Sequence, residues 1–72
     1  MEKKLQTELK AFGARIKVLR KKKGFSQLDV EIESGINRVE VSKIENGMNN
    51  IEFATILKLA IALDVEIKDL FT

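Results

Sequence analysis

Between Gly24 and Gly47 the chain reads GFSQLDVEIESGINRVEVSKIENG, and this stretch limits the possible folds more than any other. Ser26 is placed to cap a helix: its hydroxyl can accept the Asp29 amide while the Asp29 carboxylate accepts the Ser26 amide. Phe25 before the cap and Val30 after it have the spacing of a hydrophobic staple. The pattern returns further on, where Ile36 precedes Asn37, Glu40 stands at the third helical position and Val41 follows it. Gly35 and Gly47 stand where a helix needs a left-handed terminating residue. Two short helices are therefore expected, Gln27 to Ser34 and Arg38 to Asn46, joined by a turn of only a few residues.

The flanking segments supply apolar stripes to close over this pair. Leu5, Leu9, Phe12, Ile16 and Leu19 recur at steps of four and three, which is one continuous helical face. The first helix is expected to start between Lys3 and Thr7 and to end at Lys22 or Lys23. Gly13 interrupts it at a cost of about 1 kcal/mol relative to Ala, which marks a close helix approach. The part before Leu9 extends beyond the core and is available to a partner chain. A fourth helix is expected from near Phe53 to Leu63, with Asn50 a better cap than Glu52 by propensity. Phe53, Ile56, Leu57, Leu59, Ala60, Ile61 and Leu63 make it apolar nearly all round, so it is either central or shared with a second subunit. A last short helix, about Glu66 to Phe71, has Ile67, Leu70 and Phe71 on one side. No linker, repeat or low-complexity segment interrupts the chain. The expectation is one all-α domain over residues 1–72, with its core at about 9–71 and a helical extension at 1–8.

Composition narrows the function. The 72 residues include no Cys, His, Trp, Tyr or Pro. The commonest general bases, nucleophiles and zinc ligands are thus missing, and the carboxylates are scattered over separate helices without a paired acid–base spacing. Neither an enzyme nor a metal or cofactor site is expected. Met1-Glu2-Lys3-Lys4 leads into mixed polar sequence rather than a signal peptide, and the apolar segment Phe53 to Leu63 is too short to span a bilayer. A soluble, cytoplasmic protein without a membrane partner is expected. The net charge of +2 conceals an uneven distribution: residues 1–24 carry +7 and residues 25–72 carry −5. That asymmetry suits a polyanion approached from one end of the fold, although Lys21, Lys22 and Lys23 also complement the carbonyl end of the first helix.

The third helix has the face for such a partner. On a helical wheel Val41, Ile44 and Met48 fall within an arc of about 60° and are expected in the core, while Arg38, Val39, Ser42, Lys43 and Asn46 span about 140° on the other side. This second face begins at the helix N-terminus, the end that a recognition helix inserts into the major groove. Arg38 can bind guanine O6 and N7 together, and Val39 can pack on a thymine methyl. Lys43 reaches another base edge or a phosphate. Glu40 is expected to cap the helix with Asn37 rather than to read bases. At the start of the second helix, Ser26 and Gln27 offer free amides and a positive dipole end to a phosphate, Ser26 also serving as the cap. The pair with its glycine turn reads as a helix-turn-helix.

RIKVLRKKKGFSQ, SGINRVEVSKIENG and ILKLAIALDVEIKDLF together resemble the Cro/repressor-type (Xre-like) helix-turn-helix family over roughly Leu9 to Phe71. The resemblance implies a compact five-helix bundle of the lambda-repressor-like type, with the helix-turn-helix formed by its second and third helices. It implies a sequence-specific, repressor-like regulator that binds double-stranded DNA as a homodimer, on a palindromic operator with half-sites ~34 Å apart. By the same analogy Gln27 contacts phosphate, Arg38, Val39 and Lys43 read bases, and Asn37 and Asn46 contact the backbone near the two ends of the third helix. Arg20 and Glu45 hold positions that form a partly buried ion pair in similar proteins.

Three positions depart from the pattern. Glu31 stands where the family generally has a small residue, so either its side chain reaches the edge or the two helices stand further apart. Leu28 and Ile32, one turn apart, then point away from the core as an exposed apolar strip. Met48-Asn49-Asn50-Ile51 lacks the Lys or Arg that similar proteins place on phosphates. The strip and the acidic balance of residues 25–72 support a second reading, a protein-binding module such as an antitoxin-like subunit or adaptor, whose partner would be a toxin or another regulator.

Overall fold

The computed structural model describes residues 2–72. Four α-helices, α1 (Glu2–Lys22), α2 (Gln27–Ser34), α3 (Arg38–Glu45) and α4 (Phe53–Ala62), are followed by a 3₁₀ helix, Ile67–Phe71. The described residues contain no strand. The expected five-helix bundle is thus corrected to four α-helices and one 3₁₀ helix. The last segment is only five residues long, and it is closed at its start by the Asp69 carboxylate accepting the Glu66 amide at 3.0 Å.

The helix ends follow from a few residues. Ser26 and Asp29 form the expected capping box on α2, with bonds of 2.8 and 3.0 Å. Gly24, Gly35 and Gly47 all take positive φ. After α1, Gly24 donates to the Lys21 carbonyl and Phe25 to the Arg20 carbonyl, the paired bonds of a Schellman turn. Gly47 and Met48 repeat that pairing after α3 on the Ile44 and Lys43 carbonyls. Asp64 (φ 57°) takes glycine's place after α4, where Val65 donates to the Ala60 carbonyl. The α4 cap departs from expectation. Glu52, not Asn50, is the N-cap and makes no side-chain cap bond; the Asn50 side chain instead accepts the adjacent Ile51 amide at 3.0 Å.

Phe12, Ile16, Val30, Ile36, Val41, Ile44, Leu59, Ala60, Leu63 and Leu70 form one core, with Leu19, Phe25, Ile51, Ile56, Val65 and Ile67 packed against it. Leu5, 43% exposed, lies beyond that core, in keeping with the extension expected before Leu9. Two contacts fasten the C-terminal segment to α1: the Arg15 side chain donates to the Asp69 carbonyl at 2.8 Å, and the Phe12 and Phe71 rings lie 5.1 Å apart. Met48 corrects the helical wheel. It is 69% exposed because α3 ends at Glu45 and the left-handed Gly47 turns the chain, so the helical projection no longer holds there.

Gly13 explains itself through α3. A Cβ on this residue would overlap the backbone oxygen of Ile44 and lie 2.7 Å from that of Glu45. Both neighbours are backbone, so neither can rotate away. Gly13→Ala is therefore expected to destabilise the fold by at least ~2 kcal/mol, in the range of overpacked sites, although helix propensity alone favours Ala by about 1 kcal/mol. A urea midpoint for the variant equal to or above that of the parent would contradict the close approach.

Candidate nucleic-acid interface

The short connection between α2 and α3 is wired by side chains rather than by further backbone pairing. The Ser34 hydroxyl donates to the Val30 carbonyl and accepts the Ile36 amide at 3.0 Å. Glu31 Oε1 accepts the Arg38 amide at 3.0 Å, and Asn37 Oδ1 accepts the Val39 amide at 2.7 Å. The first two amides of α3, which have no partner within the helix, are thus taken by side-chain oxygens. This settles the position of Glu31: its half-buried side chain reaches the α3 N-terminus. It also corrects the expected Asn37–Glu40 capping box. Asn37 bonds the second helical amide rather than the third, and a carboxylate already occupies this end of the helix. Glu40 is exposed on the first turn of α3.

At the opposite end of α3 lies a buried polar cluster. Arg20 on α1 and Glu45 on α3 pair through two hydrogen bonds of 2.6 and 3.0 Å, with their side chains 9% and 3% exposed. Arg20 Nη1 also donates to the Phe25 carbonyl at 2.9 Å, just before the α2 cap. Gln27 Nε2 donates to Glu45 Oε1 at 3.1 Å. The hydrogen bond to Glu45 raises the Arg20 pKa above its ordinary value; burial opposes this, and Coulombic attraction to Glu45 adds to it. One cluster therefore ties the end of α1, the start of α2 and the end of α3 together.

The predicted interface residues group on two elements. Ser26 at the head of α2 is exposed, and Gln27 beside it is half-buried by its bond to Glu45. On α3, Asn37, Arg38, Lys43 and Asn46 are exposed, Val39 is 59% exposed, and Ser42 is half-buried. Val41 and Ile44 are fully buried on the opposite side, as the wheel requires. Among the described residues Arg38 and Lys43 belong to no ion pair. The Asn46 amide is partly engaged, donating to the Ser42 carbonyl at 2.9 Å. Lys10 on α1 packs against Gly47, so one exposed cation of α1 flanks the end of α3. Sequence reasoning missed Glu31, because templates for helix caps look within four residues and this acceptor lies seven residues before its donor, across the turn.

A short polar-faced helix, capped from two sides and propped by a buried ion pair, is the arrangement that the helix-turn-helix pattern describes, and the helix-turn-helix family model matches residues 16–70. The chain belongs to this Cro/repressor-type helix-turn-helix family. It is 37% identical over 60 residues to the HTH-type transcriptional regulator SlrR of Bacillus subtilis, spanning 82% of this chain but only 40% of that protein. It is 36% identical over 63 residues to an uncharacterized HTH-type transcriptional regulator, y4dJ, of Sinorhizobium fredii, over 88% of this chain and 82% of that one. The crystal structure of the restriction-modification controller protein C.AhdI from Aeromonas hydrophila superimposes with a TM-score of 0.88 at 43% identity, covering 90% of this chain and 98% of that one.

The buried cluster makes a sharp stability prediction for this helix-turn-helix. Glu45→Ala strands the Arg20 charge and removes the acceptor of Gln27, and is expected to cost about 3–5 kcal/mol. Glu66, whose ion pair with Lys68 at 3.7 Å lies on the surface, should be replaceable by Ala with little change. Guanidinium midpoints measured side by side test this, and equal midpoints for the two variants would rule out a structural role for the Arg20–Glu45 pair.

Proposed function

We propose that this chain is a sequence-specific DNA-binding transcriptional regulator that acts as a homodimer and inserts α3 into the major groove of a palindromic operator. The observation that carries the reading is the outward face of α3. It presents Arg38 and Val39 on the first turn and Lys43 on the last turn of a helix whose opposite side is buried, and among the described residues neither Arg38 nor Lys43 is ion-paired. Arg38 supplies the bidentate donor for guanine, Val39 the apolar contact for a thymine methyl, and Lys43 a further base or phosphate contact. Ser26 and Gln27 offer the head of α2 to a phosphate, and Asn37, Ser42 and Asn46 line the rest of the contact surface. Glu45 holds Gln27 by one of its amide hydrogens, and the side chain keeps a second donor N–H. Likeness to a restriction-modification controller protein along nearly all of that chain's length supports the regulator reading.

Arg38→Ala is expected to weaken binding to the preferred site by ~1–3 kcal/mol and to relax the choice of base at one position. Selection from random duplexes followed by titration of parent and variant measures both. Unchanged affinity of the variant for the parent's site would remove Arg38 from the readout. Binding should also weaken with salt, each phosphate contact adding about 0.9 to the slope of log K against log salt.

The dimer rests on α4. Phe53, Leu57 and Ile61 recur at four-residue intervals and are 67%, 42% and 68% exposed, an apolar stripe along one side of the helix. Protomer extents of 33 × 23 × 20 Å allow two copies side by side to present their α3 helices one DNA turn, ~34 Å, apart. Ile61→Glu is expected to shift the chain to monomer in sedimentation and to reduce operator affinity while leaving the far-UV spectrum intact. A variant that remained dimeric would move the interface elsewhere. The second reading, a protein-binding module, rests on Leu28 and Ile32, which are 43% and 68% exposed one turn apart on α2.

A further inference from the structure

Among the described residues Glu31 is the one α2 side chain that hydrogen-bonds the start of α3, and the bond it makes is to the amide of Arg38 itself. Its own carbonyl meanwhile accepts the Gly35 amide at 2.8 Å and closes α2. A single residue therefore fixes the end of one helix through its backbone and the start of the next through its carboxylate. The turn between them holds Gly35 at φ 78°, and the amide of Ile36 is bound by Ser34. Without Glu31, no α2 side chain among the described residues would hydrogen-bond the α3 N-terminus, which would keep its own cap, Asn37, and the packing of Val30 and Ile36 in the core. A carboxylate here also meets the positive end of the α3 dipole.

We propose that Glu31 is a positioning residue for DNA readout: by binding the first amide of α3 it fixes the angle at which Arg38 and Val39 leave the turn. This rests on the reading of α3 as the recognition helix. Its signature differs from that of an ordinary surface carboxylate near DNA. Removing such a charge strengthens binding to any duplex alike, because repulsion of phosphate is sequence-independent. Removing a positioning bond instead lowers the preference for the operator over other duplexes, because bases are read only by side chains held in register. Gln keeps an acceptor oxygen at the same reach without the charge, so it separates the two effects. Glu33, exposed on the same helix, controls for the loss of one negative charge.

The experiment compares the parent with Glu31→Ala, Glu31→Gln and Glu33→Ala by two measurements. The first, made without DNA, is amide hydrogen exchange at Arg38. The second is the ratio of affinities for the selected operator and for a scrambled duplex at one salt concentration. Glu31→Ala should speed Arg38 exchange and lower the affinity ratio about tenfold, the scale of a lost helix cap. Glu31→Gln should restore most of both, and Glu33→Ala should change neither. Parent-like Arg38 exchange in Glu31→Ala would overturn the positioning bond. Faster exchange with an unchanged ratio would leave Glu31 a stabilising cap and overturn its part in readout. A parent chain that prefers no duplex would overturn the DNA reading and with it the readout role, while the exchange measurement still decides whether Glu31 holds α3.

Discussion

The pairing of Arg20 with Glu45 is the contact on which the rest of the molecule depends. It lies where three helices meet, and every polar group around it has a use: Arg20 also holds the Phe25 carbonyl, and Glu45 also receives Gln27. No buried side-chain nitrogen or oxygen among the described residues lacks a partner. A buried ion pair adds little net stability over an apolar replacement, but it is unforgiving of misplacement, since a shifted helix would strand a charge. Gly13 works with it. Its missing side chain lets the backbone of α1 lie directly on the carbonyls of Ile44 and Glu45, and that closeness brings Arg20 within bonding distance. The apolar core supplies the drive to fold; this polar clasp sets how α3 lies on α1.

At its other end α3 is held by different means. Arg38, Val39 and Ile36 each lose their amide to a side-chain oxygen, from Glu31, Asn37 and Ser34. A turn this short cannot form a ladder, so its donors must find acceptors in side chains or water. The consequence is an α3 of only eight residues that is fixed at both ends. Isolated, such a helix would not persist in water. Its order comes from Val41 and Ile44 in the core, Glu45 at one end and Glu31 at the other.

Much of this was legible in the sequence because local signals and global periodicity agree. The Ser26–Asp29 capping box, the left-handed glycines and the buried side of α3 follow from spacing alone. Resemblance to a family singled out Arg20 and Glu45 before any geometry was known. What was hidden has definite causes. Met48 was placed in the core by a wheel that assumes the helix continues, whereas Gly47 ends it. Glu40 was assigned to the cap because it stands at the third helical position, yet the cap depends on Glu31, a residue brought near only by the turn. Asn50 was preferred over Glu52 by propensity, but its side chain bonds its own neighbour. The bond from Gln27 to Glu45 gave no signal in the sequence, since it joins the start of one helix to the end of another. Each miss concerns a contact between elements or a helix end, where propensity says nothing about partners.

The arrangement also separates holding from contact. α1 fixes the C-terminal end of α3 through the backbone at Gly13 and the side chain of Arg20; α2 fixes the N-terminal end through Glu31. α4 packs on α2 and on the 3₁₀ helix, and leaves Phe53, Leu57 and Ile61 uncovered. A second copy seated on that stripe would bear on α2 first, and α2 meets the start of α3 through the Glu31 carboxylate. Pairing of protomers and orientation of the reading face would then share one mechanical path, α4 to α2 to Arg38. The apolar stripe would set the distance between two recognition helices, and Glu31 would set the angle at which each one enters.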